Sequence, residues 1–173
     1  MASVLAGLAN RPLTWKQPHA LTPAHELRSG DTLLGTLEFR SRFGTLAYAK
    51  IENDCWTLKR LGFLKTRVEI RTCDSEKEFA TFHNATWTGG GTLALKDGRE
   101  FRANTNFWHS RYEFVDERDN PLVRYASGGF IKTTGEMEIL PAGIGVPELP
   151  CIVMLGWYLV IMMRNDGATA AAG

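Results

Sequence analysis

Seven basic residues, Arg40, Arg42, Lys59, Arg60, Lys65, Arg67 and Arg71, fall in three neighbouring segments of a chain whose net charge is only +1. Arginine forks and lysine point charges both match phosphate oxygens. Clustered cations are drawn to anionic lipid surfaces by about 1 kcal/mol each. These seven residues are the candidate ligand-binding set, with a lipid headgroup as the ligand. The plainer alternative is a solvated outer face on which Glu38, Glu52, Asp54 and Glu69 balance the charge.

Other chemistries fail on residue type or spacing. His19, His25, His83 and His109 show no zinc spacing with the cysteines, so no metal site is expected. Asp116-Glu117-Arg118-Asp119-Asn120 is acidic but lacks the glycine and glutamate of a calcium loop, and reads as a hairpin tip. Thr88-Gly89-Gly90-Gly91-Thr92 lacks the Lys-Ser/Thr of a phosphate loop, and no Gly-x-Ser-x-Gly elbow occurs. Trp87, Phe107 and Trp108 lie in loop-like stretches; such residues contact a membrane or partner when exposed, and more often cap a barrel end. No catalytic residue and no cofactor is assigned, and the expectation is a protein that is not an enzyme.

The whole chain sets the bounds. Its 173 residues suit one domain with a sizeable core. A near-neutral balance gives no global field for nucleic acid. Cys55, Cys73 and Cys151 make no paired framework and read as reduced thiols of a cytoplasmic protein. The N-terminal segment, residues 1–12, is mildly apolar without a basic region and does not read as a secretory signal, which leaves the Asn84-Ala85-Thr86 sequon without meaning.

From Leu13 onward, short alternating segments follow one another with turn signals between them. Leu33, Gly35, Leu37 and Phe39 share one face of 32–39, and Trp56, Leu58 and Arg60 share one face of 55–61. Val68 and Ile70 oppose Arg67, Glu69 and Arg71 in 66–73. Asp97-Gly98 is the strongest hairpin signal. About twelve strands result, at the spacing of a sandwich or barrel. Closing the sheet removes its edges.

One further element must be placed. From Leu149 to Met163 the chain has no charged residue, and Pro147 and Pro150 suit the first turn of a helix. A helix over 147–164 is predicted, apolar on every side and therefore enclosed by protein or by lipid. Fifteen uncharged residues reach roughly 22 Å, short of a hydrocarbon core of about 30 Å. The helix therefore belongs inside a wide barrel. Small strand residues, Gly35, Ala47, Ala49, Ala80, Ala94 and Ala103, would leave room for it. The expected fold is mainly β: a closed antiparallel barrel of about twelve strands around a buried hydrophobic C-terminal helix, the domain spanning 13–165 and a disordered tail 166–173.

This plan resembles the tubby C-terminal-like superfamily, which includes tubby-like domains, phospholipid scramblases and LURP-one-related proteins. The residues that carry the resemblance are 37–44 (Leu-Glu-Phe-Arg-Ser-Arg-Phe-Gly), 56–62 (Trp-Thr-Leu-Lys-Arg-Leu-Gly), 97–102 (Asp-Gly-Arg-Glu-Phe-Arg), 112–117 (Tyr-Glu-Phe-Val-Asp-Glu) and the closing 147–163 helix. The size is closer to the scramblase-like and LURP-one-like members. The resemblance implies either phosphoinositide binding through basic strand residues or calcium-dependent lipid scrambling. The acidic calcium segment, proline-rich N-terminal region and palmitoylated cysteines of scramblases have no match here. The expected function is a binding or scaffold module at an anionic phospholipid or phosphoinositide surface, monomeric, cytoplasmic or peripheral to a membrane, with no nucleic acid and no identified protein partner. The alternatives are a carrier of a lipophilic small molecule and a tail-anchored membrane protein.

Overall fold

The computed structural model describes residues 3–75, 77–85, 89–106, 111–128 and 134–172. A short 3₁₀ helix, Val4–Leu8, precedes the first strand; the Ser3 side chain caps it by accepting from the Leu5 N–H at 3.2 Å. Twelve strands follow. They are β1 (Leu13–Lys16), β2 (Ala24–Ser29), β3 (Thr32–Phe39), β4 (Ala47–Ile51), β5 (Asp54–Leu61) and β6 (Arg67–Thr72). The second half holds β7 (Glu78–Asn84), β8 (Gly91–Leu95), β9 (Glu100–Thr105), β10 (Arg111–Val115), β11 (Pro121–Gly128) and β12 (Thr134–Ile139). Each strand pairs antiparallel with its neighbours in sequence, and β1 closes the barrel against β12, with Leu13 opposite Met137. Two helices complete the chain: α1 (Pro141–Ile144), a single turn, and α2 (Leu149–Ala172).

The barrel encloses α2. Residues 149–162 are buried without a break, which on a helix means burial on every face. Alternating strand positions supply the wall around it. Leu37, Ala49, Leu58, Ile70, Phe82, Phe114 and Tyr125 are among the core residues. Trp157 of α2 stacks on Trp15 with centroids 5.4 Å apart, and Tyr158 stacks on Phe39 at 5.6 Å. Two glycines set how closely wall and helix approach. A Cβ on Gly156 would lie 2.3 Å from the Tyr125 ring, and one on Gly135 would lie 2.5 Å from the Trp157 indole. Both positions exclude any side chain.

Three expectations change. The helix runs to Ala172 rather than stopping near Arg164. Asn165 and Gly167 are weak stops in front of an alanine-rich segment of high helix propensity. Gly35, Ala47, Ala49, Ala80 and Ala103 face the interior as expected, but Ala94 does not. It pairs with the outward Thr81 on the exterior, and Leu93 is the inward residue of β8. Cys55 and Cys73 are not free thiols. They form a disulfide between β5 and the residue after β6, with a Cα–Cα distance of 5.4 Å. Eighteen residues apart in sequence, they become cross-strand neighbours only through the β5–β6 register, in which Trp56 opposes Thr72. The pairing removes the ground on which a reducing compartment was expected. Cys151 is the free cysteine among the described residues; burial pushes its thiol well above the ordinary range, so it is an inert core residue. Among the described residues no helix is long and apolar enough to cross a membrane.

Candidate functional site

An up-and-down barrel sends its connections alternately to two ends. Those following β1, β3 and β5, residues 17–23, 40–46 and 62–66, lie at the end where α2 emerges. Contacts of the helix fix this placement. The Tyr158 hydroxyl donates to the Thr45 carbonyl at 2.5 Å and accepts from the Arg60 N–H at 3.0 Å. Arg60 also pairs with Asp166 of α2, Nη1 to Oδ2 at 2.7 Å. At the opposite end, where α2 begins, Glu148 is clasped by Arg99 from the β8–β9 turn.

The seven basic residues separate into three groups. Lys59, Arg67 and Arg71 share the outer wall of β5 and β6. Lys59 sits opposite Glu69 in the register, and the Glu69 carboxylate also meets Arg67 at 3.6 Å and Arg71 at 3.3 Å. This wall patch is therefore largely self-compensated, by exposed pairs worth about 0–1 kcal/mol each. Arg60 faces inward with Trp56 and Leu58, as its strand face predicts, so it is a closure of the barrel end and not part of an outer patch. Arg40, Arg42 and Lys65 lie at the α2-exit end, all exposed. Among the described residues their side chains enter no ion pair, and neither does that of Lys59.

Charge is segregated between the two ends. The connections 17–23, 40–46 and 62–66 contain no Asp or Glu. The sequence joining β7 to β8, β9 to β10 and β11 to β12 contains none either. At the other end, the described connections carry eight carboxylates against four cations; Asp74, Asp97, Asp116 and Glu148 are among the carboxylates. The Asp116–Asn120 segment is a hairpin tip, as expected: the Asp116 carboxylate accepts from Asn120 Nδ2 and from the backbone N–H of Asn120 and of Arg118, all at 2.9 Å. These local hydrogen bonds hold its carboxyl below the usual range.

The α2-exit end also holds features the sequence reading did not single out. Phe43 and Phe63 are 96% and 94% exposed, Leu64 is 81% and Leu21 is 74%. Two recesses open among them. One, of about 350 Å³, has Leu159, Met162 and Tyr112 on its apolar side and Arg60, Thr66 and Asn84 on its polar side. The smaller, of about 160 Å³, lies between the β1–β2 and β3–β4 connections and is lined by Gln17, Thr22, Ser41, Arg42 and His25. His25 is buried beside Phe39 and Trp157, and its Nδ1 finds no hydrogen-bond partner among the described residues. Burial, with a smaller contribution from Arg164, pulls its pKa down to about 4. Asn84, the sequon asparagine, donates from Nδ2 to Thr66 Oγ1 at 2.6 Å and is thus committed to the β6–β7 edge. Trp87, Phe107, Trp108 and His109 lie outside the described residues. No group of three His, Cys, Asp or Glu that would hold a metal ion occurs among the described residues.

Comparison with known proteins bears on the fold. No family model matches the sequence, and no curated protein matches it. An X-ray structure of a protein from Arabidopsis thaliana, AT5G01750, is similar to this chain, with a TM-score of 0.54 at 11% sequence identity. The match covers 96% of this chain and 98% of that one. At this identity the two share a fold over nearly their full length. The class defined is a closed twelve-stranded barrel built around a hydrophobic C-terminal helix.

Proposed function

We propose that this protein is a non-enzymatic binding module of the tubby C-terminal-like kind, close to the LURP-one-related and scramblase-like members, and that it engages anionic phospholipid surfaces. The observation that carries the reading is the segregation of charge along the barrel. A net charge of +1 conceals one end with exposed cations and no carboxylate in its connections, and another end rich in carboxylates. Such a charge distribution turns the α2-exit end toward a negative surface and repels the other end from it. Of the seven candidate residues, Arg40, Arg42 and Lys65 supply uncompensated charge there. Lys59, Arg67 and Arg71 add to it from the side, reduced by Glu69. The barrel axis is filled by α2, so ligands are met at the surface.

The test is co-sedimentation with phosphatidylcholine vesicles, with and without phosphatidylserine, at graded salt. Binding only to the anionic vesicles, released by salt, is the expected result. Arg42→Gln with Lys65→Gln should weaken it about tenfold or more, from about 1 kcal/mol per cation. Arg67→Gln with Arg71→Gln should weaken it less. Wild-type protein that stays in the supernatant with every vesicle would remove the reading.

A further inference from the structure

The exposed apolar residues of the α2-exit end are not scattered. Leu21, Phe43 and the Phe63-Leu64 pair each stand in a different connection, after β1, β3 and β5, and all three connections leave the same rim. The backbone projects them. Gly62 has φ +90°, and a Cβ there would lie 2.5 Å from the Lys65 carbonyl oxygen, so the 62–66 turn closes tightly and leaves Phe63 and Leu64 outside it. A phenylalanine exposed above nine-tenths of its area gains nothing from the fold. Two of them on adjacent loops, with leucines beside them, mark a contact surface.

Resting on the reading above, we infer that the barrel docks end-on, with Leu21, Phe43, Phe63 and Leu64 entering the acyl boundary of an anionic bilayer while Arg42 and Lys65 stay at the phosphates. Two observations select a bilayer over a protein. The apolar residues are separate convex tips, each with a cation one residue away in two of the three loops (Arg42 beside Phe43, Lys65 beside Leu64). That is the sequence of layers a phospholipid offers: acyl chains below, phosphate above. A protein partner would require matching concave pockets, whereas a bilayer accepts separate protrusions. The second observation is the recess of about 160 Å³ between the tips bearing Leu21 and Phe43, walled by Arg42, Ser41, Thr22 and Gln17, which offers polar groups at headgroup height.

The test uses full-length protein and the same phosphatidylcholine–phosphatidylserine vesicles. Phe43→Ser, and separately Phe63→Ser with Leu64→Ser, should each weaken binding about tenfold or more, the change expected when an inserted aromatic ring is lost. Leu33→Ser, an exposed leucine at the opposite end, should change nothing. Phe43→Trp should gain fluorescence quenching from lipids brominated in the acyl chain. All four positions are exposed, so unaltered melting curves confirm the fold. Tip variants that bind like wild type, while Arg42→Gln with Lys65→Gln releases the protein, would overturn insertion and leave the electrostatic reading standing. Wild type that ignores anionic vesicles overturns both. Lipid-free self-association that Phe43→Ser abolishes, without vesicle binding, would assign the tips to a second copy of the chain instead.

Discussion

Replacing Gly156 by alanine tests the helix-in-barrel packing at its tightest contact. The added Cβ would lie 2.3 Å from both Cζ and Oη of Tyr125 and 2.5 Å from Cε2, whereas ordinary contacts begin at 3.4 Å. Tyr125 cannot swing away cheaply. It is 1% exposed, and its hydroxyl donates to the Ile152 and Val153 carbonyls at 3.1 and 2.9 Å. Overpacking costs roughly 1–3 kcal/mol. Displacing the hydroxyl from its buried acceptors adds about 1–3 kcal/mol. Against this, alanine improves helix propensity over glycine by about 1 kcal/mol. The expected net loss is roughly 1–5 kcal/mol, or roughly 2–20 °C in Tm for a domain of this size. Circular dichroism melting of Gly156→Ala measures it, and Tyr125→Leu in the Gly156→Ala background should recover part of the loss through coupling of contacting residues. A melting temperature equal to wild type or higher, which propensity alone predicts, would refute an α2 packed against β11.

Reduction should lower stability by about 3 kcal/mol, because the Cys55–Cys73 bridge closes a loop of eighteen residues; melting with and without dithiothreitol should show the shift in wild type and none in Cys55→Ser with Cys73→Ser. His25 binds its proton less readily in the folded state, at about pH 4 against an ordinary 6.5. The unfolded chain therefore takes up the proton first, so stability is full above about pH 6.5 and falls by about 3 kcal/mol as pH drops toward about 4. Urea midpoints across that window should slope for wild type and flatten for His25→Phe. Tyr158→Phe removes the acceptor of the Arg60 N–H and should cost about 1–3 kcal/mol by the same urea titration, with no change expected if the barrel end is open to water.

Alternation in 32–39 and 66–73 puts Leu37, Val68 and Ile70 inside and Arg67 and Arg71 outside, as the strands have them, because a period of two fixes the faces once one is apolar; Leu33, expected on the face of Leu37, is instead 49% exposed, because the β2–β3 register shifts beside it. The same rule turned Arg60 inward with Trp56 and Leu58. Nearness in sequence also places Arg60 in a basic patch, but an inward arginine is tolerated only at a barrel end, where Asp166 pairs with it. The charge segregation was open to the same kind of reading. Strands that pair in order send successive connections to opposite ends, and summing charge over alternate connections reveals it.

Sequence by itself determined the twelve strands, the enclosed helix and the barrel, because hydrophobic period and the need to cover an all-apolar helix are local and compositional facts. Tertiary structure decided the rest. The Cys55–Cys73 bridge depends on a register that brings residues eighteen apart face to face. The outward turn of Ala94 depends on which face of β8 meets the helix. Whether Phe43, Phe63 and Leu64 are core or surface depends on where two separate loops end, and hydrophobicity alone assigns such residues to the interior. Their placement on one rim, beside unpaired cations, follows from strands that pair in order and so send alternate connections to one end; how far each residue projects from that rim is decided by the folded loops.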